Sequence, residues 1–216
     1  MRLLLAIAVA GAACGAPSST TATTASSKAP PAGVAGGWRL LVDAPLPETA
    51  GTPRSSTAER GRKLYERRDY LSASIELHKV VAGTSNDDAA SRQWAEIELA
   101  ATLYQLWLDA AAYSFLGRIM QAGEAHAAYR EALPWLRAVA RSLPAAAGAD
   151  ALLAQHDPSA EAAPVVVEPE DAWVRKLDAE LAEFNAMDKA WQSTSVAADI
   201  LQELTLQRSL ADSTRD

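Results

Sequence analysis

Three histidines, one cysteine and a cluster of guanidinium groups are the residues of this 216-residue chain whose types invite chemistry. A structural zinc site needs four clustered sulfur or imidazole ligands, whereas His78, His126 and His156 stand far apart and Cys14 has no second thiol. No metal, cofactor or disulfide framework is therefore expected. No nucleophile stands at a recognisable spacing from a base, and Gly36-Gly37 is too short to cradle a phosphate. Glu96 and Glu98 cannot share one face of a helix, and Glu66 with Asp69 has the look of helix-end charge. His126, close to Glu124 and Tyr129, reads as a helix-turn histidine satisfied by a backbone carbonyl. A cell-wall hydrolase on a helical scaffold would need a glutamate in a lysozyme-like segment, which is absent. The chain is expected to have no catalytic residue.

The remaining chemistry is electrostatic. Arg60, Arg62, Lys63, Arg67 and Arg68 form the one basic cluster, and helical spacing puts 60, 63 and 67 near one face. Such a face suits an acidic tail or a peptide carboxylate, or else it is solvated. Overall, 20 basic residues against 27 acidic ones leave a net charge of −7, which argues against nucleic acid or anionic lipid as a partner. Residues 158 to 216 carry five basic and twelve acidic side chains, so they alone account for that charge. The acidic C-terminal segment is thus a candidate internal occupant for the basic cluster, the alternative being a solvated face.

The N-terminus supplies an address. Arg2 precedes the apolar run from Leu3 to Ala10, too short to span a bilayer and suited to a secretory signal over residues 1–13. The run ends at Gly11-Ala12-Ala13-Cys14, which resembles the lipobox of bacterial lipoproteins. That resemblance implies that Cys14 is lipidated and becomes the acylated first residue. Gly11 stands where the family usually has Leu, so cleavage at a small-x-small site without lipid is the alternative. Residues 14–56 are rich in Ala, Pro, Ser, Thr and Gly and read as a flexible tether reaching roughly 35 Å. Within it, Trp38-Arg39-Leu40-Leu41-Val42 is apolar enough to dock.

From residue 57 to 154 apolar residues recur at spacings of three and four, with breaks near Asp69, Gly83 to Asp88, Asp109, Gly123 and Pro144. Asp69 and Asp109 are placed to cap the helices that follow them. Leu64-Tyr65 recurs as Leu103-Tyr104, an offset of 39 residues. Gly61 and Ala73, and again Ala100 and Ala112, stand twelve apart as small residues do where paired helices approach closely. This pattern resembles the tetratricopeptide repeat, a helix pair of about 34 residues. A third helical region follows from Glu124 to Leu143, with a kink or new start expected at Pro134. The fold expected is all-α: a short stack of antiparallel helix hairpins with C-terminal amphipathic helices. Trp94, Trp107 and Trp135 are assigned to its core.

Residues 155–169 read as a Pro-Ala-Val linker. Over residues 170–212 two amphipathic helices are expected, one with Trp173, Leu177, Leu181, Phe184 and Trp191, the next capped by Ser193 or Ser195 and carrying Val196, Ile200, Leu204 and Leu210. The stretch from Trp191 to Ala211, with Leu103-Tyr104-Gln105-Leu106 and His126-Ala127-Ala128-Tyr129, is similar to tetratricopeptide lipoproteins of myxobacteria, some of them in the gliding-motility apparatus. The resemblance implies an outer-membrane lipoprotein facing the periplasm that binds another envelope protein. Its relatives usually carry more repeats than this chain. Helix phase nominates Tyr65, Arg68 and Gln105 as partner contacts, with Arg60, Lys63 and Arg67 beside them. An assembly factor escorting an outer-membrane protein is the alternative binding role, and oligomeric state is not encoded in any of these signals.

Overall fold

The computed structural model describes residues 55–159 and 168–213. The expected signal, Cys14, the Trp38 to Val42 stretch and most of the tether and linker lie outside them. Among the described residues are nine α-helices: α1 (Ser56–Glu66), α2 (Tyr70–Val81), α3 (Ala89–Gln105), α4 (Asp109–Ala122), α5 (Tyr129–Ala140), α6 (Ala149–His156), α7 (Ala172–Ala186), α8 (Lys189–Gln192) and α9 (Ser195–Ser213). No described residue is in a strand. The architecture is a short stack of antiparallel hairpins, α1 on α2, α3 on α4 and α5 on α6, followed by the C-terminal helices.

Local chemistry sets the helix starts. Ser55, Asp69 and Asp88 each accept a hydrogen bond from the backbone N–H three residues on, satisfying an amide that the first turn leaves orphaned. Three expected boundaries differ. Leu108, not an Asp, precedes α4, and Asp109 is its first residue, fully buried. Thr194 occupies the place before α9, its Oγ1 accepting from Ala197 N at 3.4 Å, where Ser193 or Ser195 was expected. Pro134 neither breaks nor starts a helix, since α5 runs through it to Ala140. The carbonyl that Pro134 leaves without a donor belongs to Arg130, an exposed residue where water can replace the missing N–H. Residues 123–125 form a short 3-10 turn, and α5 begins only at Tyr129.

The first two hairpins are copies in backbone as well as in sequence. Arg68 N donates to Tyr65 O at 2.8 Å and Asp69 N to Leu64 O at 2.9 Å. Thirty-nine residues later Trp107 N donates to Tyr104 O at 3.2 Å and Leu108 N to Leu103 O at 3.1 Å. Both turns pass through the left-handed region, at Arg68 (φ 63°) and Trp107 (φ 66°). Of the small residues expected at the helix crossings, Ala73, Ala100 and Ala112 are all buried to within 1% exposure. At Gly61 a Cβ would stand 2.8 Å from both Cγ and Cδ2 of Leu77, a separation that real contacts do not reach.

Serial packing follows from the way the hairpins nest. The first helices touch in order, α1 on α3 and α3 on α5, while α2 packs against α3 and α4 against α5. Leu77, Leu99, Leu103, Leu116, Ile119 and Leu136 fill the layers between them with no exposed area. Tyr104 and Trp135 meet edge to face across α3 and α5, with centroids 6.2 Å apart. Trp135 is buried, and Trp94 is half-buried against the same core.

Helices α7 and α9 pair with each other and rest on the second helices, α9 on α2 and α4 and α7 on α4. Leu177, Phe184, Trp191, Ile200 and Leu204 are the buried side of this unit. Trp191 is not part of α7 as expected but sits on α8, where its ring meets Phe184 and its Nε1 donates to Ser74 Oγ at 2.9 Å. No helix among the described residues is long and apolar enough to cross a membrane.

The Gly61 contact makes a specific demand. Gly61→Ala should destabilise the chain by about 1–3 kcal/mol through overpacking against Leu77. Gly117→Ala, in the interior of α4 where nothing lies within 4 Å of the added carbon, should raise stability by about 0.5–1 kcal/mol. Urea unfolding of the two variants should therefore move in opposite directions.

Candidate functional site

The basic cluster on α1 is exposed but largely matched by its own neighbourhood. Arg60 lies 3.5 Å from Glu76 on α2, Lys63 3.2 Å from Glu59, and Arg62 3.4 Å from Glu66 and from Glu98 on α3. The Arg62–Glu98 pair bridges two consecutive first helices, and its glutamate is buried. Arg67 caps the C-terminal end of α1, Arg68 forms the turn beyond it, and both side chains are solvent-exposed. Tyr65 is half-buried with its ring 5.3 Å from Tyr70. Gln105 is the last residue of α3, at the matching end of the second hairpin, and is half-buried. The structure thus groups Arg60, Lys63, Tyr65, Arg67 and Arg68 on one hairpin and puts Gln105 on the next.

Among the described residues, the acidic C-terminal segment, one candidate occupant, does not neutralise this cluster. Its carboxylates are used elsewhere: Asp199 on His78, Glu203 on Ser114, Glu180 on the amide of Ala110, and Asp178 on Arg208. The cause is the geometry of the stack, which presents α2 and α4 to the C-terminal helices, while the matched lysine and arginines point from α1 toward Glu59, Glu76 and Glu98.

His78 has the composition of a catalytic relay and the geometry of a tie. Its Nε2 lies 2.8 Å from Asp199 Oδ2 and its Nδ1 3.4 Å from Ser195 Oγ. Ser195 and Asp199 stand one turn apart on α9, so a single helix grips one imidazole of α2 from above. The ring is buried while the Asp199 side chain is 61% exposed, the inverse of a triad in which a buried acid orients an accessible base. The Ser–His separation is also at the limit of a hydrogen bond. His126 is held by Glu96 Oε2 at 3.3 Å and accepts from Ala128 N at 3.2 Å. A carboxylate therefore replaces the backbone carbonyl expected there, because α3 passes under the Gly123 turn with Glu96 facing it. His156 Nδ1 lies 3.0 Å from the Tyr129 hydroxyl. Among the described residues, no group of three or more His, Cys, Asp or Glu side chains is placed to hold a metal ion.

The most unusual electrostatics lie where α7 meets α4. Leu108 has no side chain with which to cap α4, and the amide of Ala110 is instead bonded by both carboxylate oxygens of Glu180, each at 2.9 Å. Lys176 Nζ stands 2.7 Å from Asp109 Oδ2 and 3.4 Å from Glu180 Oε1. Asp109 and Glu180 are each 1% exposed. Burial pushes the Glu180 carboxyl up to about 7; Lys176 opposes the rise, Asp109 adds to it, and the Ala110 amide opposes it. Nothing in the residue types around Glu180 pointed to this role, although the strict 39-residue offset does put Leu108 at the position of the capping Asp69.

Beside this contact runs a shallow open groove of about 280 Å³, lined by Tyr113, Ala146, Ala147, Trp173, Gln207 and Leu210 among others. Burial pushes the Tyr113 phenol above its usual range. Gln207 donates to Ala110 O at 3.3 Å and to Glu203 at 3.0 Å, and Ser114 Oγ donates to Glu203 at 2.7 Å, so the groove wall is tied by hydrogen bonds from α9 to α4. Comparison with known protein families, with curated proteins and with solved structures found no match for this chain.

Arg68 separates fold from function. A side chain in the left-handed region costs about 1–2 kcal/mol, so Arg68→Gly should stabilise the hairpin by about 1 kcal/mol while removing its guanidinium. A lower thermal midpoint in this variant would show that the arginine side chain holds the turn.

Proposed function

We propose that this chain is a non-catalytic, lipid-anchored scaffold of the bacterial cell envelope that docks another envelope protein, in a motility or trans-envelope complex. The reading rests on the resemblance to tetratricopeptide lipoproteins and on one observation: the C-terminal helices rest on α2 and α4, on the side of the second helices, while α1, α3 and α5 adjoin in series on their own side. A rigid row of first helices suits recognition by preformed shape, since the partner segment then bears most of the ordering cost. Arg67 and Arg68 are exposed cations at the C-terminal end of the first helix in that row. Lipid at Cys14 would hold the scaffold at the outer membrane, facing the periplasm, and the tether would set its reach and local concentration.

The test is isolation of the full chain at native abundance in mild detergent. The proposal expects one partner in stoichiometric amount, with recovery reduced about tenfold, equivalent to roughly 1.4 kcal/mol, by Arg67→Glu with Arg68→Glu. Unfolding of that double variant should match the parent within ~0.5 kcal/mol. Substoichiometric capture of an outer-membrane client would favour an escort role, and carboxylate-dependent release of fragments from peptidoglycan would make it a hydrolase. Either result overturns the scaffold.

A further inference from the structure

The two hairpin turns share a backbone but not a cap. In the first, Asp69 is the residue before the helix and accepts from Ser72 N at 3.3 Å. In the second, the same position is Leu108, and the carboxylate comes from Glu180 on α7, seventy residues from the Ala110 amide that it accepts from. The start of α4 is therefore completed only when the C-terminal helices are in place. With them come two buried carboxylates and one ammonium, an arrangement whose charges do not cancel.

We propose that docking of α7–α9 on the stack is coupled to uptake of one proton by the Glu180–Asp109–Lys176 cluster, so that acid tightens and alkali loosens a helical cover over α2 and α4. This inference is independent of the scaffold role. The groups facing Glu180 are Asp109 from α4 and Lys176 from its own helix, together with the Ala110 amide. Protonated Glu180 still accepts from that amide, and it leaves Lys176 and Asp109 as a neutral pair. Deprotonated Glu180 keeps the hydrogen bond but adds an uncompensated buried charge.

The sign follows from the raised acidity constant. Undocked, Glu180 titrates at the ordinary value near 4.5, and docked it titrates at about 7. Below 4.5 both states hold the proton, and above 7 neither does. Between them docking binds one proton, so its equilibrium constant falls toward tenfold for each unit of rising pH. Other titratable groups meet the stack at His78 with Asp199, between α2 and α9, and at Glu203 with Ser114, between α9 and α4.

Hydrogen exchange of the full chain from pH 5 to 8 tests this, read as protection of α7 and of the Ala110 amide relative to intrinsic exchange. Protection should fall by close to tenfold per unit from pH 5 to 6.5 and level off above 7.5. Glu180→Gln keeps an acceptor for Ala110 and should flatten the profile. Asp109→Asn, which removes a neighbouring negative charge, should shift the sloping window to lower pH and guards against misfolding of the first variant. A flat profile in the parent chain overturns the proposal. So does a slope that survives in Glu180→Gln, which would assign it to another group of the interface, or an unmoved window in Asp109→Asn.

Discussion

The approach of α1 to α2 at Gly61 is the constraint on which the rest of the structure depends. With Leu77 filling the space where a side chain would begin, the two helices can lie close enough for Leu77, Val80 and the second-hairpin leucines to form one continuous layer. Ala73, Ala100 and Ala112 are likewise buried in the stack. Close pairing makes each hairpin a flat unit with two apolar sides, and such units bury those sides by stacking. A bulky residue at these positions would favour a looser bundle with its apolar area gathered around one axis.

A stack has ends and an outer side, and the C-terminal helices serve the latter. Their attachment is built from unlike contacts: Trp191 on Ser74, His78 between Ser195 and Asp199, Ser114 and Gln207 around Glu203, and Glu180 on the first turn of α4. Each polar contact satisfies a group that burial would otherwise leave without a partner. The apolar residues beneath them, Leu177, Ile200 and Leu204, supply the area removed from water. The cover is therefore joined to the second helices by packing and specified in register by hydrogen bonds, and one of those bonds also completes a helix that lacks its own cap.

Much of this was legible in the chain. The 39-residue offset between Leu64-Tyr65 and Leu103-Tyr104 locates both hairpins and their turns, because those features are set by spacing within one unit. The apolar stripe of Leu177, Phe184, Ile200 and Leu204 similarly marks faces that are buried, whereas Leu210, expected on the same stripe, is 56% exposed. What spacing did not reveal was which carboxylate meets which donor. Charge totals suggested the acidic tail on the basic α1 face, yet long-range pairing is decided by which sides the stack leaves open. Asp109 was read as a cap because it is the nearest acid to a helix start. Its true position is one residue inside the helix, where its side chain is buried beside Lys176. Tyr65 and Gln105, nominated by helix phase, lie at the same end of successive first helices, with Arg68 in the turn beyond α1.

Serial stacking of the hairpins is what sets the first helices in a row, and it is directly measurable. Spin labels placed at Arg67→Cys and Arg141→Cys, with Cys14→Ser, mark the C-terminal caps of α1 and α5 with α3 between them. Helices pack roughly 8–10 Å apart, so the account predicts an axis separation of about 20 Å, widened by the label arms. A distribution centred near one helix spacing, roughly 10 Å, would place α1 directly against α5 and contradict the stack.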